Sequence, residues 1–434
     1  MTGIKLRFNR TKPRMLGKPS CRAAHPLGGD RVGHHGAARR CGDLDDPLQL
    51  DWQPQQGPGW ARRLLAHPAP AIAHVQEQPG VLLQAQVQLI AQAILVDAPA
   101  GAEARARLRS WAKAGTRAGN ALWMQVSHAG RQSPRYVTRE PVGPSDVQLD
   151  LLGNYARPRA LRDDEILALV QRFADVAVIA RDCGFTGVQV HGAHGYLLSS
   201  FLSPVTNRRN DAWGGSLPNR ARFLVETVRA VRRAVGADFP VSVKLNSDDF
   251  RKGGFSHADC LGVVQLLNGC GLDLLEISGG NYEQPRLLGV SGREGDAVAV
   301  RESTKVREAY FLDYAAAIRR VATMPLMVTG GFRTRAGMEA ALAGGDTDVI
   351  GIARPFCTHP DVARRLLARD IDELPAFEHR LHLRPRGRLS PASPWLLAKM
   401  VNVLGAQGWY YQQMERLADG RRIDPHRGML RSFV

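Results

Sequence analysis

The 434 residues carry 58 Lys and Arg against 41 Asp and Glu, a formal charge of +17, and that length suits one large α/β domain with extra segments or two ordinary domains. No apolar run reaches the roughly 18 residues of a membrane span, and the six scattered cysteines lack a C-x-x-C pair, which argues against a zinc site or disulfide framework and for reduced thiols in the cytoplasm. The basic excess is spread along the chain, 15 against 8 in residues 1–110 and 43 against 33 beyond them, and without a nucleic-acid-binding motif it reads as arginine-rich composition, not as a polyanion surface.

Residues 1–107 are rich in Pro, Gln, Ala, Gly and Arg, hold no tyrosine and one phenylalanine, Phe8, and include patches such as QPQQGPGW without apolar period. The opening is arginine-rich and acid-free as in a transit peptide, but it lacks serine enrichment and its prolines break any amphipathic face. One stretch, VLLQAQVQLIAQAILVD (81–97), has recurring apolar residues that fit a strand and a helix equally well. With little apolar surface to bury against its ordering entropy, the segment is expected to be poorly ordered.

From Leu108 the text is regular. Strands are predicted at ALWMQVS (121–127), GVQVH (187–191), PVSVKLN (240–246), LDLLEIS (272–278), PLMVTG (325–330) and TDVIGIA (347–353). Helices are predicted over 161–182, 216–235, 256–269, 307–321, 334–343 and 359–369 from periods near 3.6. Strict alternation implies parallel strands with right-handed crossovers. Six such units fit an open doubly wound sheet or three-quarters of an eight-stranded barrel. An open sheet gathers ligand groups at one switch point, whereas here polar or glycine clusters follow nearly every strand, the distribution of a barrel with its site at the strands' C-terminal ends. The expected fold is a TIM (β/α)8 barrel whose first two strand–helix units are not recognisable in residues 1–107.

The strand ends carry the chemistry. VTGGFRT (328–334) puts Gly330 and Gly331 between a strand and a helix, and GIARPF (351–356) puts Arg354 just past the next strand. Glycine permits close backbone approach to a phosphate, and arginine offers a planar fork for its oxygens. On PVSVKLN, Lys244 shares the inward face with Ser242, opposite Val241, Val243 and Leu245. A charge there is an internal ion pair, with Glu276 on the next strand as partner, or a cation facing an electron-rich ring that becomes anionic on reduction. HGAHGY places His191, His194 and Tyr196 at one strand end. An H-x-x-H pair without a third ligand is no zinc site, so no metal is expected. Two imidazole donors can hold a carbonyl oxygen while a phenol supplies a proton, a set suited to reducing a polarised double bond.

From about Leu108 to Glu373 the chain resembles the old yellow enzyme family of FMN-dependent oxidoreductases, which are TIM barrels. The resemblance rests on QVSHAGRQ (125–132), GVQVHGAHGYLLSSFLSPVTNRRNDAWGGSLPNRARF (187–223), SVKLNSDDF (242–250), LEISGGNYE (275–283), VTGGFRT and GIARP. It implies that Gln125 and Lys244 contact the flavin's pyrimidine edge, and that Gly330, Gly331 and Arg354 hold its phosphate. His191 and His194 would bind the substrate's carbonyl oxygen and Tyr196 would donate the proton. NAD(P)H would reduce the flavin, and an activated alkene would be the acceptor. Partners are then small molecules rather than nucleic acid or membrane, with homo-oligomerisation open.

Two departures qualify the resemblance. Trp213 stands where tyrosine is usual, which reads as structural, and Ser216 is expected to cap the next helix. The family's first two strands have no match in residues 1–107, whose composition resembles a GC-rich gene read out of frame. A divergent extension is the rival reading, and a flavin-free or non-catalytic product is the alternative function. The organisation expected is thus an atypical segment 1–107, an FMN-binding barrel region 108–373 and a C-terminal tail 374–434 with a helix. With no cysteine after Cys357, the iron–sulfur and nucleotide domains of longer dienoyl-CoA reductase relatives are not expected.

Overall fold

Period-two alternation assigns a barrel strand one face toward helices and one toward the interior, and the computed structural model, which describes residues 3–6, 81–88, 99–151, 153–280, 311–391, 393 and 395–432, shows both faces filled accordingly in the strands at 121–127, 187–192, 241–246, 274–278, 326–329 and 349–352. The strands are β1 (Gly3–Leu6), β2 (Val81–Gln88), β3 (Ala121–Ser127), β4 (Val142–Gly143), β5 (Arg159–Ala160), β6 (Gly187–Gly192), β7 (Val241–Asn246), β8 (Leu274–Ser278), β9 (Leu326–Thr329) and β10 (Val349–Ile352). The helices are α1 (Pro99–Thr116), α2 (Asp163–Asp182), α3 (Leu197–Leu202), α4 (Leu217–Val235), α5 (His257–Leu267), α6 (Leu312–Arg319), α7 (Arg335–Ala343), α8 (Val362–Leu367) and α9 (Leu396–Ala418).

Eight strands close a barrel in the order β1-β10-β9-β8-β7-β6-β3-β2, and β4 pairs with β5 apart from it. The six strands read from the sequence, β3 and β6 to β10, are there and parallel to their neighbours among them. Closure agrees with the expected barrel and supplies the two strands that were not recognised. β2, from the stretch that fitted strand and helix equally, runs parallel to β3 over Leu82↔Ala121 to Gln88↔Ser127. β1 is antiparallel to both β10 and β2, so the barrel is not built from parallel strands alone. Alternation along a strand specifies faces but not direction. Between β2 and β3 runs α1, which crosses residue 107 and buries Leu108 and Ala112, with Trp111 edge-on to Phe185 at 6.0 Å. Residues 7–80 and 89–98, the start of the predicted helix at 307–310, and Asn281 to Glu283 lie outside the described residues.

The outward strand faces (Leu122, Met124, Val188, Val243, Ile277, Ile350) join helix side chains such as Phe173 and Phe223 in one core, each fully buried phenylalanine or leucine contributing about 2 to 3 kcal/mol. The inward faces change along the barrel axis. At the strands' N-terminal ends Trp123, Leu274, Met327 and Val349 form an apolar plug. Gly187 makes room for it, since a Cβ there would lie 2.6 Å from the Trp123 indole. Above the plug the interior turns polar, with Gln125, Gln189, Lys244 and Glu276, and then Ser127, His191, Asn246 and Ser278 at the mouth.

The long motif after β6 is mainly architectural. Asn207 donates to the carbonyls of Phe201 (2.7 Å) and Trp213 (2.8 Å), and Arg209 to that of Leu161 (2.6 Å). Trp213 is buried against Phe223, with the Arg222 guanidinium 5.7 Å over its ring. Ser216 occupies the N-cap position of α4 but makes no side-chain capping bond, contrary to expectation; proline in the first turn removes one of the N–H donors a cap would serve. In the tail, α9 buries Trp409 against Phe377 and reaches back to the turn after β10.

Candidate active site

The site is assembled at the C-terminal ends of the parallel strands. β6 delivers His191, and the chain then turns through two left-handed residues, His194 (φ 63°) and Gly195 (φ 76°). Glycine adopts that region freely and histidine rarely. His194 is held there from both sides, its N–H donating to Asn246 Oδ1 at 3.1 Å and its carbonyl accepting from Gln132 Nε2 at 3.0 Å. The reversal brings Tyr196 back beside His191, ring centroids 4.7 Å apart, before the buried helix α3 begins.

The two imidazoles were expected as separate donors aimed at one oxygen; in the structure they stand in series. Ser127 Oγ lies 2.9 Å from His191 Nδ1, His191 Nε2 lies 3.1 Å from His194 Nδ1, and His194 Nε2 lies 2.7 Å from Ser278 Oγ. Burial, then the neighbouring His194 and the Lys244 ammonium, pulls His191 well below the usual imidazole range. Burial and Lys244 pull His194 down to about 3. Both rings are therefore neutral near pH 7, each with one N–H, and the four-membered chain has only two polarities, donating toward Ser127 or toward Ser278.

Below this pair lies a charged layer. His191 and Lys244 are register partners, as are Lys244 and Glu276. Lys244 Nζ sits 3.1 Å from Glu276 Oε1, with the lysine side chain 15% exposed and the glutamate 0%. Gln125 Nε2 donates to Gln189 Oε1 at 2.7 Å, and Gln189 Nε2 to Glu276 Oε2 at 2.8 Å. The ion-pair reading of Lys244 is thus present in the geometry, with the ammonium still at the more open side of the pair.

The third group lies beyond β9 and β10. Gly330 (φ 100°) and Gly331 (φ 86°) both need the left-handed region, and no described residue lies within 4 Å of where a Cβ on Gly330 would point. Gly330 N–H donates to the Gly351 carbonyl at 3.1 Å, so the loop's contribution to an anion falls to Gly331 and to the start of α7, where Thr334 caps. Arg354 follows β10, half-exposed, with its Nη1 3.5 Å from Glu378 Oε1. Glu378 also accepts from Arg333 and from the Tyr410 hydroxyl. Burial pushes the Glu378 carboxyl up, but Arg354 and Arg333 together outweigh it and leave it below its ordinary value.

His191, His194 and Tyr196 are therefore one cluster, Gln125 and Lys244 a second joined to it by register, and Gly330, Gly331 and Arg354 a third on the last two strands. The sequence reading missed Gln189, Asn246 and Gln132. The first two lie two residues from His191 and Lys244 on the same inward faces, a signal that was available. Among the described residues no group of three or more His, Cys, Asp or Glu is arranged to hold a metal, and no helix is long and apolar enough to cross a membrane.

A profile of the NADH:flavin oxidoreductase / NADH oxidase family matches residues 102–372. The NADH-dependent flavin oxidoreductase iccE of Talaromyces variabilis is 36% identical over 329 residues, covering 71% of this chain and 77% of that protein. The NADH-dependent flavin oxidoreductase iliE of Neonectria sp. (strain DH2) is 38% identical over 268 residues, 58% of this chain and 35% of that longer protein. Among solved structures, the old yellow enzyme homologue from Zymomonas mobilis matches with a TM-score of 0.56 at 24% identity, over 71% of this chain and 85% of that one.

Proposed function

The chain belongs to the NADH:flavin oxidoreductase / NADH oxidase family, whose cofactors are FMN and NAD(P)H, and from that premise we propose that it reduces activated alkenes of the α,β-unsaturated carbonyl type. Bound FMN would supply hydride transfer, from NAD(P)H to the alkene's β-carbon.

The donor set fits that cofactor. A cation and a carboxamide share the barrel interior, and the loop after β9 has two left-handed glycines with open space over the first. The strand after it ends at a guanidinium that is 45% exposed. Lys244 and Gln125 would hold the flavin's pyrimidine edge. Gly331 and Arg354, with Gly330 shaping the turn, would hold its phosphate.

The remaining residues act on the substrate. His191 and His194 would donate to its carbonyl oxygen, exchanging their mutual bond for bonds to that oxygen. Being neutral, they polarise it without transferring a full proton. The Tyr196 hydroxyl would then protonate the α-carbon. The observation that carries the reading is the adjacency of the Lys244 layer and the imidazole pair, set by the His191↔Lys244 register.

The test is Tyr196→Phe, followed by stopped flow in both half-reactions. Flavin reduction by NAD(P)H needs no proton from this phenol and should be nearly unchanged, while reoxidation by an enone should slow by about 10²-fold, the usual scale for a lost general acid. Equal slowing of both halves, or of neither, would make Tyr196 a packing residue. Absence of flavin absorbance from wild-type protein supplied with FMN would refute the cofactor assignment and favour the flavin-free alternative.

A further inference from the structure

Glu276 is enclosed in the barrel and has no role in the reading above. A carboxylate in such a place must be neutralised and hydrogen-bonded. Its Oε1 takes Lys244 Nζ at 3.1 Å and the Thr329 hydroxyl at 2.5 Å, and its Oε2 takes Gln189 Nε2 at 2.8 Å. A carboxylate only accepts, so Gln189 must turn its NH2 toward Glu276 and its carbonyl toward Gln125. Gln125 must then present its own NH2, as it does at 2.7 Å. One buried charge therefore orients two amides and places one ammonium.

We infer that Glu276 is the positioning residue of the flavin-facing layer: it moderates the positive charge that Lys244 offers and sets which end of the Gln125 amide is available. The inference rests on the FMN reading given above. An isoalloxazine gains negative charge on two-electron reduction, so a nearby cation favours the reduced form and a counter-charge beside that cation weakens the preference. Glu276 is thereby a setting on the cofactor's reduction potential, through Lys244 and without needing to touch substrate.

The test is the midpoint potential of bound FMN, measured against a reference dye in wild type, Glu276→Gln, Glu276→Asp and Gln189→Leu. Glu276→Gln keeps the size of the side chain and removes its charge. The preference for reduced over oxidised flavin should rise tenfold or more, a positive shift of about 30 mV for a two-electron couple. Glu276→Asp draws the charge back by one methylene and should shift the potential the same way by less, which also carries the test if the glutamine variant fails to fold. Gln189→Leu spares the ion pair and should leave the potential near wild type while weakening FMN binding severalfold. A potential unchanged or lowered in Glu276→Gln overturns the inference, as does a shift in Gln189→Leu as large as that in Glu276→Gln. A wild-type protein that takes up no FMN overturns the cofactor reading and this inference together, before any variant is compared.

Discussion

Replacing Lys244 by methionine keeps most of the side chain's length and removes the ammonium, leaving Glu276 charged at 0% exposure. Breaking a buried pair by deleting one partner costs about 3 to 5 kcal/mol, because the remaining charge keeps its desolvation penalty. Thr329 and Gln189 still donate to the stranded carboxylate, and the lysine was itself partly exposed, so the lower figure, about 3 kcal/mol, is the prediction. Urea unfolding of wild type and variant, both stripped of FMN so that cofactor linkage adds nothing, measures it. The deficit should depend on pH with a definite sign. A stranded carboxylate binds a proton more tightly in the folded chain than in the unfolded one, so the variant's stability is lost as pH rises and is partly regained as pH falls. Adding Glu276→Gln to Lys244→Met should restore most of the loss, since no buried charge remains. A deficit under about 1 kcal/mol without pH dependence, or a double variant as unstable as the single, would show that the carboxylate does not behave as a buried charge.

Two further outcomes are expected. Arg354→Ala should raise the FMN dissociation constant by about 30-fold or more, roughly 2 kcal/mol for a lost charge-assisted contact, and unchanged flavin retention on dialysis would remove Arg354 from the phosphate site. His128 accepts the Gly130 N–H at Nδ1, 3.0 Å away, and burial, then the charge of Arg172, lowers it to about 4. The unfolded chain therefore binds more protons between about pH 6.5 and 4, and stability is lost as pH falls through that range, by on the order of 1 kcal/mol per unit from this residue. His128→Asn, which keeps an acceptor, should flatten that acid limb; parallel stability–pH profiles for wild type and variant would refute the assignment.

Much of the site was legible because inward-facing residues recur at i and i+2. Gln125 predicts Ser127 as a neighbour on the same face, His191 predicts Gln189, Lys244 predicts Asn246, and Glu276 predicts Ser278. The glycines of VTGGFRT were legible for another local reason, that two left-handed residues between a strand and a helix call for glycine. Ser216 shows the limit of local rules. The serine stands at the N-cap as its spacing predicts, yet its hydroxyl makes no capping bond, and the proline in the first turn has no N–H to receive one.

The amino-acid sequence by itself determined six of the barrel strands, their inward faces and hence the side chains those six send into the interior, because the period of two is a property of each strand alone. Tertiary structure decided which of those side chains meet. The pairing of Lys244 with Glu276, and of His191 with Lys244, depends on inter-strand register, which local alternation leaves open. The series from Ser127 through both imidazoles to Ser278 depends on a left-handed His194 held by Asn246 and Gln132. The antiparallel entry of β1 and the contact of Arg354 with Glu378 likewise join segments distant in the chain. Such partners are selected by closure of the whole barrel, and no window of local sequence contains them.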